Sequence, residues 1–355
     1  MREQHGHATT GSTEREKVVA LNRRFLLVRR PYGAPVMADF RLVEEAIPVP
    51  PPGGFVVHNH YASLDPAQRG WMDDVPSYMP PIALDAPVRA TTVGTIHASD
   101  NPAFEPGDWV VGLNALEDYS AAEPGGFTMK IDISGVASPS QFLSTIGAVG
   151  VTGYFGLLDV AKPKAGESLL VSGAAGAVGS VVGQIGKITG CRVIGIAGGP
   201  EKCRRLIEEY GFDAAIDYKG KSVARLAAEI AIAAPGGADI LFENVGGDVM
   251  DAELLNLALN ARIVLCGLIS EYNAPEKMGI RNLWQVLARQ ATIHGFLVSA
   301  YADRFAEGGA QLTKWVAEGR LRIDEDVQHG LENSYAAFMR LFDGTNTGKL
   351  VLKIA

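Results

Sequence analysis

The stretch "LLVSGAAGAVGSVVGQIGKITGCRVIGIAGGPEK", Leu169 to Lys202, decides the fold. It opens as an apolar run, breaks into Gly and Ala, resumes with helical spacing and closes in a second apolar run. Strand, tight turn, helix, strand is the unit from which parallel sheets are built. The turn, "SGAAGAVGS", carries Gly173, Gly176 and Gly179. Small residues there let a backbone approach a pyrophosphate, and the following helix N-terminus offers N–H groups and positive potential. In the dinucleotide-binding frame the loop reads Ala174-x-Gly176-x-x-Gly179, with alanine at the first glycine position. Gly173, Ala174, Gly176, Ala177, Val178 and Gly179 are the expected pyrophosphate seat. The alternative is a strand-to-helix turn that binds nothing.

An Asp or Glu about twenty residues beyond such a loop, at the end of the second strand, would hydrogen-bond a ribose 2′-hydroxyl. Here that strand runs into Ala197-Gly198-Gly199, so nothing at Gly198 repels a 2′-phosphate. Lys202 follows in the first turn of the next helix, where its ammonium would pair with that phosphate as a point charge. NADP is therefore expected over NAD. Two features leave the choice open: Lys202 also reads as a solvated helix lysine, and Glu201 could turn to the ribose and accept NAD.

Further along, strands are expected at Ser168 to Ser172, Arg192 to Ala197, Ala214 to Asp217, Ile240 to Glu243, Arg262 to Cys266 and Thr292 to Val298. Segments such as "PEKCRRLIEEYG" and "SVARLAAEIAIAA" carry helical periodicity between them, with Pro200 suited to a first turn and Gly211 to a stop. Strands alternating with helices call for a doubly wound parallel sheet. From Lys17 to Phe127, short β-like pieces such as "RRFLLVRR", "GFVVHNHYASL" and "DWVVGL" are parted by Pro, Gly and Asp, which reads as a small β domain. The closing "GTNTGKLVLKIA" ends in an alternating strand expected to return to it. The expected organisation is a tail at 1–16, a β domain at 17–139 joined by 325–355, and the α/β nucleotide domain at 140–324.

A chain of 355 residues is long enough for two cores and a cleft between them. The net charge of −8 argues against a nucleic-acid or anionic-membrane surface while leaving room for a local phosphate site, and the apolar runs break before membrane-spanning length. Cys191, Cys203 and Cys266 lack disulfide or zinc spacing, which suits a reducing cytoplasm. The polar opening lacks the apolar core of a signal peptide, and its His5 and His7 offer only an adventitious metal contact.

The blocks "YFGLLDVAKPKAGESLLVSGAAGAVGSVVGQIGK", "GCRVIGIAGGPEKCRRLIEEYGFDAAIDYK", "LFENVGGDVMDAELLNLALNARIVLCGLISEYN" and "GKLVLKI" resemble the zinc-free medium-chain dehydrogenase/reductase superfamily. More narrowly, they resemble its prostaglandin reductase and alkenal (curcumin-type) double-bond reductase branch. The likeness runs from about Arg23 to the C-terminus. It implies a GroES-like β domain beside a Rossmann domain, a homodimer built through the latter, and NADPH-dependent reduction of the C=C bond of α,β-unsaturated ketones and aldehydes.

By the same resemblance Lys202 and Tyr218 would hold the 2′-phosphate, Asn244 and Asn346 would touch the cofactor, and Cys266, Gly267, Ile269, Phe296, Leu297 and Val298 would line the nicotinamide. Bland readings stand beside these: turn positions for the asparagines and a packing aromatic for Tyr218. Zinc members carry a Gly-His-Glu element and a run of cysteines in the β domain. This chain has neither, and His58, His60 and His97 have no neighbouring Cys, so no metal is expected.

Reducing an enone places negative charge on the carbonyl oxygen, which needs a donor. Tyr272 of "GLISEYN" is the expected one, since a phenol stays protonated at neutral pH. The cofactor's ribose hydroxyl is a second candidate and solvent a source of the carbon-bound proton. Otherwise Tyr272 is a packing aromatic that closes the cleft. Tyr61 and Arg69 are expected at the substrate, although Arg69, like Arg89, reads equally well as half of a structural ion pair.

Two departures fall nearby. Ala67-Gln68 stands where many relatives have Tyr-Met, predicting a wider and more polar pocket, and Ala90-Thr91-Thr92 stands where they carry glycine. The competing functions are a zinc-free quinone reductase on the same architecture and a cofactor-binding protein without useful turnover.

Overall fold

A computed structural model describes residues 21–354, so the expected tail and the His5/His7 pair lie outside the described residues. The first eight strands are β1 (Leu21–Leu27), β2 (Phe40–Ala46), β3 (Phe55–Ser63), β4 (Ala86–Pro87), β5 (Arg89–Ser99), β6 (Trp109–Ala115), β7 (Tyr119–Ala122) and β8 (Thr128–Lys130), with the short helix α1 (Ala67–Trp71) between β3 and β4. After α2 (Ala148–Phe155) the pattern alternates: β9 (Ser168–Val171), α3 (Ala177–Ile188), β10 (Arg192–Ala197), α4 (Pro200–Glu208), β11 (Ala214–Asp217), α5 (Val223–Ala233), β12 (Ala238–Glu243), α6 (Gly247–Leu254) and β13 (Leu257–Leu265). Then come α7 (Ile269–Tyr272), α8 (Trp284–Ala288), β14 (Thr292–Gly295), α9 (Phe305–Ala317), β15 (Glu325–His329), α10 (Ser334–Asp343) and β16 (Lys349–Lys353).

The α/β reading holds. Six strands form a sheet in the order β11-β10-β9-β12-β13-β14, every neighbouring pair parallel. Successive side chains along a strand point to opposite faces, and both sets are apolar because both faces are covered. Leu169 and Val171 join Val181, Val182, Ile185, Val193, Phe242 and Val264 in one core, whereas Leu170 joins Ile194, Ile196, Leu226, Ile230, Leu241 and Ile263 in another. Strand ends differ from expectation by one residue at β9, which stops at Val171, and by more elsewhere: β12 starts two residues early at Ala238, and β14 stops at Gly295, three residues before Val298. β13 starts at Leu257, five residues before Arg262, because its first residues pair with Ala238 ahead of a register shift.

Helix α3 lies unusually close to the sheet, and its glycines allow it. A Cβ on Gly183 would come within 1.8 Å of Phe212 Cζ, one on Gly186 within 2.5 Å of Leu169 Cδ2, and one on Gly179 within 2.4 Å of Gly173 O. This close approach sets where the loop ahead of the helix can stand.

The sheet-rich domain combines a three-stranded sheet (β2-β1-β4) with a seven-stranded one, in which β15 and β16 run beside β3, β5, β6 and β8 while β7 pairs with β3. Thr92 of the departing Ala90-Thr91-Thr92 run is fully buried there. Its hydroxyl donates to Asn59 Oδ1 at 2.6 Å and accepts from Asn114 Nδ2 at 2.7 Å. That run therefore builds a satisfied polar core inside β5.

The two parts meet along a cleft. Helix α1 contacts α7, the loop at Gly33 faces Asn273 O (3.5 Å from an added Cβ), and Gly348 ahead of β16 forms a bridge with Gly176.

Overpacking the α3 contact tests this architecture. Gly183→Ala should destabilise the chain by about 1–3 kcal/mol, read as a lower denaturation midpoint; an unchanged midpoint would mean that α3 does not sit on Phe212.

Candidate active site

The loop Gly173–Gly176 is shaped by its own backbone. Gly173 sits at φ +58°, a left-handed conformation that glycine takes without strain. Gly176 N–H donates to Gly173 O at 2.9 Å and Ala174 N–H to Ile196 O at 3.0 Å. Gly176 is the N-cap of the twelve-residue α3, with no side-chain cap, so the first-turn amides at Ala177, Val178 and Gly179 are left to an outside acceptor. Asn346, 8% exposed, stands beside this loop, its amide donating to Gly348 O at 3.2 Å. The Arg340–Asp326 pair (2.7 Å) holds that turn, with Thr347 N–H also on Asp326.

At the end of β10 the chain gathers cations. Burial, together with Lys219 and Arg205, lowers Lys202 below the ordinary lysine value. A Cβ on Gly198 would lie 3.0 Å from Lys219 Cε and 3.2 Å from the Tyr218 hydroxyl, so all three residues surround one small space. Neither Lys202 nor Lys219 pairs with a carboxylate among the described residues. Asp217 is engaged otherwise, its Oδ1 accepting Gly199 N–H (2.7 Å) and Lys219 N–H (3.0 Å). Glu201 is turned away too, held by Arg204 at 2.6 Å on the exposed side of α4. Two lysines, a phenol and no free acid form a seat for a multiply charged anion. Lys219 escaped the sequence reading, although its place beside Tyr218 at the end of β11 was the available signal.

The floor of the cleft is made where β12 and β13 end. Asn244 N–H donates to Ser172 Oγ (2.9 Å) and its side-chain amide to Ser172 O (2.8 Å), so that amide group braces a turn and leaves Oδ1 uncommitted. Cys266 and Gly267 N–H both donate to Glu243 O, and Ile269 N–H to Asn244 O. Phe296 is buried and closes the base, with Val298 half-buried and Leu297 44% exposed beside it.

Tyr272 lies over this floor. An added Cβ on Gly267 would stand 3.4 Å from its hydroxyl, which accepts Leu268 N–H at 3.2 Å. Because Oη is an acceptor in that bond, the phenolic proton remains free to donate outward. Burial raises its pKa, with Leu268 opposing and Tyr78 and Cys266 adding, so it stays protonated at neutral pH. Tyr78 reaches the same region from the other side and accepts from Trp71 Nε1 at 3.2 Å. The sequence reading missed it because "SYMPP" has no periodicity and its position depends on the domain contact.

Tyr61 is half-buried on β3 and packs with Val93 and Val351. Arg69 belongs to the structure more than to the cleft. It is 3% exposed, and all three guanidinium nitrogens are engaged with Gly33 O, Pro31 O and Asp73. It thereby fixes the Pro31–Gly33 loop that meets Asn273, next to Tyr272. Gln68 does not make the pocket more polar as expected: it is buried, and its amide bonds Ser63 O, Arg89 O and Asp65 N–H.

His58, His60 and His97 pack around Tyr119 and Trp109, with His58 stacked on Tyr119 at 4.5 Å, His60 tilted against Trp109 at 5.0 Å and His97 edge-on to Tyr119. Burial, with His58 and Lys353, pushes His60 down to about 4. Among the described residues no three His, Cys, Asp or Glu side chains gather as a metal site.

Residues 23–130 match the family described as the N-terminal domain of oxidoreductase, and residues 177–315 the family described as zinc-binding dehydrogenase. The chain is 40% identical to the NADPH-dependent curcumin reductase of Escherichia coli (strain K12), over 94% of this chain and 97% of that one. It is 36% identical to the 2-alkenal reductase (NADP(+)-dependent) of Nicotiana tabacum, over 94% and 98%. Among solved structures, CurA from Vibrio vulnificus in complex with NADPH shares 42% identity and a TM-score of 0.87, covering 94% of this chain and 99% of that one.

Proposed function

Because the chain belongs to the medium-chain dehydrogenase/reductase superfamily, in its zinc-free branch of prostaglandin and alkenal double-bond reductases, we propose that it reduces the C=C bond of α,β-unsaturated ketones and aldehydes with NADPH. The observation that carries this reading is the pair of sites facing one cleft: an anion seat without an acid at Gly198, and a phenolic proton free to donate at Tyr272.

The residues fit the cofactor. The uncapped α3 amides at Ala177, Val178 and Gly179 would hold the pyrophosphate, and Lys202, Lys219 and Tyr218 would take the 2′-phosphate. Asn244 and Asn346 would touch the cofactor, and Cys266, Gly267, Ile269, Phe296, Leu297 and Val298 would line its nicotinamide. Bound there, NADPH supplies a hydride for the β-carbon of the substrate. Tyr272 would donate a hydrogen bond to the carbonyl oxygen on which charge develops, its orientation set by Leu268 N–H, and solvent would deliver the proton that the α-carbon takes up. Tyr61 and Tyr78 flank the substrate from the β domain, while Arg69 holds the Pro31–Gly33 loop that completes the wall. A phenol needs no Lewis acid for this task.

We further place the chain as a homodimer. The edge strand β14 is exposed along its whole length, and Leu283 (51% exposed), Trp284 (69%) and Leu287 (66%) lie just before it. An unpaired edge beside an apolar patch favours pairing with a second copy of itself. A reducing compartment such as the cytoplasm suits the three free cysteines, and no helix among the described residues is long and apolar enough to cross a membrane.

Three measurements test these assignments. Lys202→Ala should raise the Kd for NADPH by roughly 10-fold or more while moving that for NADH little; equal losses would remove the 2′-phosphate role. Tyr272→Phe should lower kcat about 10²-fold with NADPH affinity nearly intact, and unchanged turnover would take the hydroxyl out of the reaction. Light scattering should give twice the chain mass, with Trp284→Glu shifting it toward one chain; a wild-type monomer would refute the dimer.

A further inference from the structure

Two carboxyl groups are buried behind the cleft floor. Glu243, at the end of β12, and Glu253, near the end of α6, are both 0% exposed. Glu243 Oε1 accepts Val245 N–H and Gly246 N–H, each at 2.5 Å, but its Oε2 and both oxygens of Glu253 have no donor in reach. Three orphaned carboxylate oxygens in a core cannot persist as two adjacent charges. One proton between the two groups removes the conflict, because a protonated Glu253 becomes a donor.

We propose that Glu253 is kept as the neutral acid and donates to Glu243 Oε2, and that this shared proton positions the Asn244–Gly247 turn beneath the nicotinamide. The turn is where the effect is transmitted. Glu243 holds the Val245 and Gly246 amides with one carboxyl oxygen, while its backbone carbonyl takes Cys266 and Gly267 N–H. Asn244 O takes Ile269 N–H and Val245 O takes Ser270 N–H, so α7 and Tyr272 hang from the same residues. Burial raises Glu253 well above the ordinary carboxyl value, with Glu243 adding to the shift. Few other charges face the pair. From the segment after β13 comes the Cys266 thiol, pushed up to about 12 by burial and by Glu243. On α6, Asp251 is engaged by Arg281 at 2.6 Å.

The protonation stands by itself, whereas the positioning role rests on the NADPH reading of the cleft. An acid neutral in the fold and ionised when unfolded loses stability as pH rises above its unfolded value, until the folded value is reached. Glu253→Gln keeps a neutral donor and cannot ionise. Its melting temperature should therefore gain on the wild type as pH rises from about 5 to about 8, by roughly 2 °C per pH unit. The infrared carbonyl band of a protonated carboxylic acid should be present in the wild-type chain at neutral pH and reduced in Glu253→Gln. A gap that does not change with pH, or no change in that band, overturns the shared proton.

For positioning, Glu253→Leu, which has no donor, should weaken NADPH by about 10-fold or more at neutral pH, while Glu253→Gln binds within about twofold of the wild type. Equal affinities for the Leu and Gln variants overturn the positioning role. A wild-type chain that shows the pH effect yet binds no NADPH overturns the cofactor reading and leaves the shared proton standing.

Discussion

The hydrogen bonds that clasp Asn244 to Ser172 fix the level at which β9 and β12 end, and the working parts of the cleft are referred to that level. Ser172 is fully buried, so water cannot replace the bonds it gives up. Each is worth only about 0.5–1.5 kcal/mol net, yet leaving one unmade would strand a buried polar group at greater cost. From Glu243 and Asn244 the backbone amides of Cys266, Gly267 and Ile269 are hung in turn. Tyr272 is therefore placed by main-chain bonds that reach back to the strand ends, while the loop at Gly173 is tied to the neighbouring β10 by Ala174 N–H on Ile196 O. Both ends of a dinucleotide are thus referred to one rigid edge, which is where parallel sheets carry their ligands.

Charge supplies the second constraint. The chain carries −8 overall, and an anionic cofactor must still be drawn to one point on it. The arrangement proposed at Gly198 would do so with its nearby acids engaged elsewhere: Asp217 is tied to two backbone amides, Glu201 to Arg204 and Asp326 to Arg340. What remains is a half-buried lysine whose ammonium is disfavoured until an anion arrives. Burial that costs the free protein something becomes, on binding, a stronger interaction in a less polar site.

The sequence made the α/β unit legible because its signals are local. Apolar runs of strand length place β9, β10 and β11 within a residue, the glycine turn places α3 between β9 and β10, and Pro200 marks the first turn of α4, whose end at Glu208 falls short of the expected stop at Gly211. The absent acid after β10 was equally local. Glu201 was undecidable from sequence, since its neighbour Arg204, three residues on, is visible there but the direction of the pairing is not. Arg69 and Gln68 read as pocket residues because they flank a site in sequence; only the fold reveals that carbonyls from Pro31, Gly33, Ser63 and Arg89 engage them. Lys219, Tyr78 and Glu253 acquire meaning through contacts across 20 residues or more or across a helix, and no spacing rule records those.

The central claim is that this cleft delivers hydride to the carbon β to a carbonyl while a phenol receives the charge on oxygen. The direct measurement is product analysis by NMR after an enone is reduced with NADPH deuterated at C4 of its nicotinamide ring. Deuterium on the β-carbon of a saturated ketone is the expected result. Deuterium on the carbonyl carbon of an alcohol, or oxidation of the cofactor with no label in the product, would contradict it.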